Sequence, residues 1–172
     1  ISKYKINFLK VSSACITDIK LLKALKKTKK PLIISTGMST EKQIKNAVKI
    51  LSEKNLSILH CNSSYPAPSS QLNLKYIETL KRKYKKSIIG YSGHEVNLSS
   101  SVASVVLGAK IIERHITLDR SLWGTDQKSS IEPLGFARMI RDIRTVEESL
   151  GINKKIIYPE EIKIMKKLRS FA

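Results

Sequence analysis

Short, continuous runs of apolar and largely β-branched residues recur along the chain. They occupy residues 7–12, 31–35, 56–61, 87–91 and 110–115. Continuous rather than alternating runs are typical of strands that are covered on both faces. The sequence therefore predicts five buried strands, spaced by roughly 23 to 30 residues, which is the period of βαβ units in a parallel sheet.

Amphipathic patterns predict helices between and after these strands. The first begins at a capping signal formed by Thr40 and Gln43, and others are expected around residues 74–80 and from Pro133 to a stop at Gly151. The segment after Pro159 is expected to be a closing helix or the start of a linker. The apolar stripes comprise Ile44, Val48 and Leu51; Leu74, Ile77 and Leu80; and Phe136, Met139, Ile140, Ile143, Val146 and Leu150.

Polar clusters follow nearly every predicted strand, and their positions decide between two α/β folds. A doubly wound sheet needs such chemistry only near its switch point, whereas in a barrel every βα loop converges on one mouth. This pattern favours a partial TIM (β/α)₈ barrel of about five parallel strands with flanking helices. Five units do not close such a barrel, so about three strands are expected to lie outside this chain, which begins at Ile1 without an initiator Met.

The composition of the chain argues against several classes of protein. The chain has 172 residues, enough for about one domain, and no apolar run reaches the roughly 20 residues of a membrane helix. Two cysteines in apolar surroundings argue against a disulfide scaffold and favour a cytoplasmic location. The net charge of +18 is compatible with nucleic-acid binding or with a lysine-rich surface. The spread of the lysines and the scarcity of aromatic residues favour the surface, and favour anionic small substrates over nucleic acid or membrane.

Two histidines are candidates for a metal site. His94 and His115 lie at the ends of consecutive predicted strands, so that in a barrel both imidazoles would project into one mouth. A pair of imidazoles without thiolates leaves coordination positions open, as a catalytic divalent site requires. The alternative is that each is an ordinary hydrogen-bonded histidine. His60, inside an apolar run, is expected to serve packing.

Hydroxyl groups and one lysine are candidates for an anion site. They supply donors without acid or base chemistry, and Gly37 would let backbone N–H groups approach the anion. The alternative is common turn and cap chemistry. Glu113 and Asp126 are candidates for proton handling or sugar binding, the alternative being an ion pair of Glu113 with Arg114 or Lys110. Cys15 and Cys61 are predicted to be buried small apolar groups. The anion-site candidates are Lys10, Ser13, Ser35, Thr36, Ser63 and Ser92.

Six motifs in register resemble the sialic acid (N-acetylneuraminate) synthase family over roughly residues 8–170. They are KVSS at 10–13, ISTGMST at 34–40, LHCNSSYPAP at 59–68, GYSGHE at 90–95, LGAKIIERHITLD at 107–119 and WGTDQKSSIEP at 123–133. The resemblance covers the catalytic barrel from about its fourth strand to its eighth helix. It implies that residues 1–172 are a fragment that lacks the N-terminal strands and a C-terminal antifreeze-like domain.

The resemblance implies a transferase that condenses phosphoenolpyruvate with the aldehyde of an N-acetylated hexosamine, such as N-acetylmannosamine. The products are a nine-carbon keto acid and phosphate, as used in the biosynthesis of surface polysaccharide. It implies Mn²⁺, or alternatively Mg²⁺ or Co²⁺, bound by His94 and His115. It also implies that Glu113, beside the metal, is catalytic together with these two histidines, as a base or as an orienting residue. A full-length homodimer is expected. The implied substrate-binding residues are Lys10, Ser13, Ser35 and Ser92 for phosphoenolpyruvate, and Ser63, Tyr65 and Asp126 for the sugar.

Three departures from the family pattern leave the acceptor open. Cys15 replaces an acidic residue that contacts the sugar, Ser63 replaces an Asn, and Gly93 replaces the Asp before the histidine. Synthases of legionaminic and pseudaminic acids share these motifs. Two other functions stay open, namely an aldolase using Lys10 as a Schiff base and a polyanion-binding module. The fragment alone is expected to be inactive.

Overall fold

The computed structural model describes residues 5–170, which form a parallel sheet with helices. All five predicted strands are present. The strands are β1 (Leu9–Val11), β2 (Leu32–Ser35), β3 (Leu56–Cys61), β4 (Ile88–Gly93) and β5 (Ile112–Arg114). The helices are α1 (Ile19–Lys27), α2 (Glu41–Leu51), α3 (Tyr76–Lys83), α4 (Ser99–Val106), α5 (Pro133–Leu150) and α6 (Pro159–Leu168), and short 3₁₀ turns lie at Ser13–Cys15, Ser69–Gln71 and Gln127–Ser129.

Strand order confirms the barrel prediction. The five strands lie in the order β1-β2-β3-β4-β5, and every neighbouring pair is parallel. Because each crossover to the next parallel strand is right-handed, an uninterrupted order places successive helices on one face of the sheet. A doubly wound sheet reverses its order at a switch point, and this sheet does not. The fold is therefore a curled half-barrel, with β1 and β5 at the edges of the described sheet.

The apolar core lies where the helices cover the sheet. Ile34 and Ile58 from the strands, and Leu22, Ile77 and Leu80 from the helices, are each at most 1% exposed. All six residues of β3 are buried, as expected of a strand near the middle of a covered sheet. Burial on this face supplies the main driving force for folding.

Local signals set the helix ends as predicted. At the start of α2 the Thr40 N–H donates to Gln43 Oε1 at 2.8 Å, and the Gln43 N–H donates to Thr40 Oγ1 at 3.3 Å, which is a capping box. Helix α5 begins with Pro133 and ends before Gly151, whose φ is 49°. The segment after Pro159 forms helix α6, so of the two predictions for it the helix is confirmed.

Strand lengths differ from the prediction at the edges and at β4. Strands β1 and β5 have three residues each, shorter than the apolar runs, because each pairs on one side only. Strand β4 continues to Gly93, beyond its apolar run, because Ser92 and Gly93 still pair with β5. No helix in the described part of the chain has the length and apolar character to cross a membrane.

The core position Ile58 offers a direct test of this fold. Ile58→Ala removes a side chain that is fully buried and leaves a cavity, so we expect a loss of about 2–5 kcal/mol in the free energy of unfolding. Ile88→Ala is the matched control, because Ile88 begins the neighbouring strand and is 53% exposed. Urea unfolding measures both variants, and equal losses would contradict the assigned faces.

Candidate active site

The carboxyl ends of the five strands carry the predicted polar residues to one edge of the sheet. Lys10 lies in β1, Ser35 ends β2, Ser92 lies in β4 and Glu113 lies in β5. Parallel strands all end at the same edge, so these residues and the loops that follow them form one rim. The structure shows which of them meet.

One carboxylate joins the lysine to the hydroxyl groups. Lys10 Nζ donates to Ser35 Oγ at 2.7 Å and lies 3.3 Å from Glu113 Oε1. Ser92 Oγ donates to the same Glu113 oxygen at 2.8 Å. The Lys10 and Glu113 side chains are 26% and 41% exposed, so solvent and a ligand can reach both. Four predicted site residues therefore form a single hydrogen-bonded cluster, which we call the lysine–glutamate cluster.

This geometry corrects the alternative partners considered for Glu113. Glu113 pairs with Lys10, whereas its sequence neighbour Arg114 pairs with Glu95. Successive side chains of a strand point to opposite faces of the sheet, so residues 113 and 114 do not share partners. Glu113 faces the lysine–glutamate cluster, and Arg114 faces away from it.

The hydroxyl of Ser13 is tied to the turn after β2. The Gly37 N–H donates to Ser13 Oγ at 3.1 Å, and Ser13 Oγ donates to Cys61 Sγ at 3.6 Å. A Cβ on Gly37 would lie 2.0 Å from Ser63 Oγ, so the turn requires glycine for space. The backbone N–H of Gly37 is already donated to Ser13, contrary to the expectation that it would face an anion.

Thr36 and Ser63 differ in their placement. Thr36 is buried and its hydroxyl donates to the Leu59 carbonyl at 3.0 Å, so its role is structural rather than in an anion site. Ser63 lies in the loop after β3, with its Oγ 3.8 Å from Cys61 Sγ. Ser63 therefore stays beside the candidate site, although it makes no contact with the lysine–glutamate cluster.

The two predicted metal-binding histidines are neighbours. The ring centroids of His94 and His115 are 5.2 Å apart. Tyr65 packs against both rings, at 4.2 Å from His94 and 5.5 Å from His115, and its hydroxyl lies 3.0 Å from His94 Nε2. Asp126 Oδ2 lies 3.8 Å from His115 Nδ1. The loop residues Tyr65 and Asp126 thus surround the imidazole pair, next to the strand ends.

Backbone contacts orient His94. Its Nδ1 lies 2.6 Å from the Asn62 carbonyl, which can only accept, so Nδ1 carries the proton and the Nε2 lone pair accepts from the Tyr65 hydroxyl, which an ion at Nε2 would displace. Burial alone would lower the pKa of His94, but the contacts with Cys61 and with the Asn62 carbonyl raise the pKa overall. An Nε2 lone pair with the other nitrogen bonded to a carbonyl is the usual arrangement of a metal-ligating histidine.

The donor set therefore fits a divalent ion at its two imidazoles. The described residues contain no group of three or more His, Cys, Asp or Glu side chains that could hold a metal ion. Two imidazoles leave the remaining positions of an ion to water or substrate, as an open catalytic site requires. Mn²⁺ at His94 and His115 stays a prediction that this geometry accommodates.

Cys61 belongs to the site, which the sequence analysis missed. We predicted a buried small apolar group, and the thiol is buried, but it also lies 3.7 Å from His94 Nδ1. Burial would raise the pKa of the Cys61 thiol, yet contacts with His94, Ser13 and Ser63 lower it overall. The usable signal was its position at the end of β3, next to the polar loop.

Comparison with known proteins gives the family. A family model described as the NeuB family matches residues 1–155. The chain belongs to the NeuB family. The predicted resemblance to sialic acid synthases is thereby confirmed, since the family's relatives include synthases of this type.

Relatives of this NeuB-family chain include human N-acetylneuraminate-9-phosphate synthase, 40% identical over 94% of the chain and 45% of that protein. The N,N'-diacetyllegionaminic acid synthase of Campylobacter jejuni is 36% identical over 85% of the chain and 45% of that protein. The crystal structure of the N-acetylneuraminic acid synthetase of Leptospira borgpetersenii matches with a TM-score of 0.85 and 34% identity, covering 99% of the chain and 61% of that structure. The NeuB chain thus spans about half the length of these two curated relatives.

His60 offers a test of the electrostatics beside the site. It is buried, its Nε2 lies 2.6 Å from the Leu72 carbonyl, and burial lowers its pKa below the usual 6.5. Below about pH 6.5 the unfolded chain therefore binds a proton at His60 that the folded chain rejects, so the contribution of His60 to stability falls as the pH drops through this range. In an NMR titration the His60 ring should titrate below 6.5; a midpoint at or above this value would contradict the assignment.

Proposed function

We propose that this chain carries the phosphoenolpyruvate site of a sialate-type synthase. The reaction would condense phosphoenolpyruvate with the aldehyde of an N-acetylated hexosamine, N-acetylmannosamine or a related sugar. The products would be a nine-carbon keto acid and phosphate. The observation that carries this proposal is the lysine–glutamate cluster on the same rim as the His94–His115 pair. The names of the relatives support a synthase of this class.

The lysine–glutamate cluster suits an anionic donor. The Lys10 ammonium and the hydroxyls of Ser35 and Ser92 provide donors for phosphate or carboxylate oxygens, with Ser13 nearby on the same rim. The net charge of +18 adds a long-range attraction for a multiply charged anion. Glu113 accepts from Ser92 and pairs with Lys10, which holds both in place and supports an orienting role for this carboxylate.

The His94–His115 pair suits the second substrate, the sugar aldehyde. Lewis-acid polarisation of a carbonyl oxygen is the chemistry that a divalent ion, Mn²⁺ foremost or Mg²⁺ or Co²⁺, supplies when bound at His94 and His115. Tyr65, Ser63 and Asp126 would then contact the sugar beside it, since Tyr65 packs on both rings and Asp126 reaches His115.

The proposed reaction forms one carbon–carbon bond and breaks one carbon–oxygen bond of phosphoenolpyruvate. Carbon 3 of phosphoenolpyruvate forms the new bond to the aldehyde carbon, and the aldehyde oxygen takes a proton to become a hydroxyl. Water adds at carbon 2, where the bond to the phosphate oxygen breaks and the keto group forms. The half-barrel is open between β1 and β5 in its described part, so we expect little turnover from these residues alone. The homodimer and the cytoplasmic location stay predictions.

Phosphoenolpyruvate binding and turnover test the proposal. We expect the 172-residue chain to bind phosphoenolpyruvate in calorimetry, and Lys10→Met to weaken binding at least about tenfold because a charge-assisted donor is lost. Lys83→Met is the control, since Lys83 pairs with Glu41 on the exposed surface. Phosphorus NMR with N-acetylmannosamine and Mn²⁺ measures turnover, which should be low in this chain, and substantial phosphate release would contradict that expectation. A borohydride-trapped pyruvate adduct on Lys10 would favour an aldolase instead, and salt-sensitive RNA binding indifferent to phosphoenolpyruvate would favour a polyanion-binding module.

Mn²⁺ binding tests the imidazole pair separately. His94→Ala and His115→Ala should each weaken Mn²⁺ binding at least about tenfold, the scale on which even an outer-shell change acts. His60→Gln, which changes a histidine outside the pair, should leave the affinity unchanged. Electron paramagnetic resonance of free Mn²⁺ gives the affinities, and equal binding by all four chains would remove the metal assignment.

A further inference from the structure

A buried ion pair lies directly behind the two candidate metal-binding histidines. Arg114 Nη1 lies 3.1 Å from Glu95 Oε1, and both side chains are 1% exposed. Glu95 immediately follows His94, and Arg114 immediately precedes His115. The pair therefore connects the backbone on either side of the candidate metal site without entering that site.

The hydrogen-bond network around this pair is dense. Glu95 Oε2 accepts from the Tyr91 hydroxyl at 2.8 Å, and Glu95 Oε1 accepts from Ser101 Oγ at 3.2 Å. Arg114 Nη1 donates to Ser101 Oγ at 2.8 Å and to the Asn97 carbonyl at 3.1 Å, and Nη2 donates to the Glu95 carbonyl. The guanidinium thus binds both the Glu95 side chain and the backbone that follows His94.

The Arg114 hydrogen bonds lie where the pairing of β4 with β5 ends. The ladder between β4 and β5 stops at the pair of Gly93 with Arg114, so His94 and His115 lie just beyond it. The last strand pairing therefore stops one residue before both histidines. The Arg114 contacts with the carbonyls of Glu95 and Asn97 hold the segment after β4 against β5 at this point.

The buried Glu95–Arg114 ion pair is expected to contribute little to the stability of the fold. Desolvation of two charges offsets much of their attraction, and replacing a buried pair by uncharged groups of similar volume is often neutral. In addition, Arg114 Nε has no hydrogen-bond partner among the described residues. The feature that the pair supplies, and that an apolar pair would not, is a fixed geometry between two strand ends.

We propose that Glu95 and Arg114 are positioning residues that set the separation and orientation of the His94 and His115 rings. The purpose of that separation, holding one divalent ion, rests on the proposed function. The separation itself is a property of the chain without metal or substrate, and it can be measured independently.

Gly93 lies beside the Glu95–Arg114 pair, where a larger residue would have no room. A Cβ built on Gly93 would lie 2.7 Å from Glu95 Oε2, 2.8 Å from Tyr91 Cε1 and 3.0 Å from Arg114 Cδ. The Glu95 carboxylate, the Tyr91 ring and the Arg114 side chain therefore fill the space beside Gly93, and a side chain at this position would push against the ion pair.

The main variant removes the ion pair while keeping the neighbouring hydroxyls satisfied. Glu95→Gln combined with Arg114→Met leaves an amide oxygen that accepts from the Tyr91 hydroxyl, an amide N–H that can donate to Ser101 Oγ, and an unbranched side chain of similar length at 114. We expect the urea midpoint to stay close to that of the native chain. In the metal-free chain, the nuclear Overhauser effect between the His94 and His115 ring protons should fall by at least half, and Mn²⁺ affinity should fall at least tenfold. Lys83→Met, which breaks the exposed pair with Glu41, should change none of these.

A second pair of variants keeps the proposal falsifiable if the main variant unfolds. Glu95→Ala alone should lose the ring-to-ring signal, and Glu95→Asp, which keeps a carboxylate beside Arg114, should retain more of it. A folded main variant with an unchanged signal would overturn the proposal, as would a folded Glu95→Ala chain with an unchanged signal. If the signal follows the pair in every variant but no chain binds Mn²⁺, the positioning role stands and the metal assignment fails.

Discussion

The contact between Lys10 and Glu113 sets the shape on which the site depends. These residues belong to the first and last strands of a five-stranded sheet, yet their charged atoms lie 3.3 Å apart. In a flat sheet with strands about 4.8 Å apart, β1 and β5 would be separated by about 19 Å. The sheet must therefore curl strongly, and the same curl brings Ser35 and Ser92 toward a common centre.

The two faces of the curled sheet carry different kinds of residue, apolar on the outer face and polar on the inner face. On the outer face the strands pack against helices through a buried apolar core, which stabilises the fold. On the inner face the Lys10–Glu113 pair is partly exposed, and such pairs contribute little to stability. The outer core therefore stabilises the fold with little help from the inner polar residues, which stay accessible at the rim.

Local signals were sufficient for much of the fold. The continuous apolar runs predicted all five strands, and the Thr40 capping box and the Pro133 and Gly151 boundaries were found where expected. Helices α1 and α4 were not predicted. Helix α4 is rich in serine and valine, and because Ser101 and Ser104 are buried beside Val105, it lacks a clear polar face. Polar residues after strands correctly indicated the rim, because parallel strands place their carboxyl ends together.

Partners across the sheet could not be predicted in the same way. Whether Glu113 pairs with Arg114 or with Lys10 depends on which face each side chain takes and on the curvature of the whole sheet. The role of Cys61 likewise depends on a loop from β3 and a histidine beyond β4 meeting in space. Such contacts join residues far apart in sequence, so neither spacing nor local propensity reveals them.

The acceptor for His94 is a main-chain oxygen, and this has a consequence for mutational robustness. Every amino acid provides a carbonyl at position 62, so the tautomer of His94 does not depend on the identity of that side chain. Substitutions there can alter the surface of the loop while Nδ1 of His94 keeps its acceptor. The orientation of this imidazole is thus held by a part of the polypeptide that is common to all amino acids.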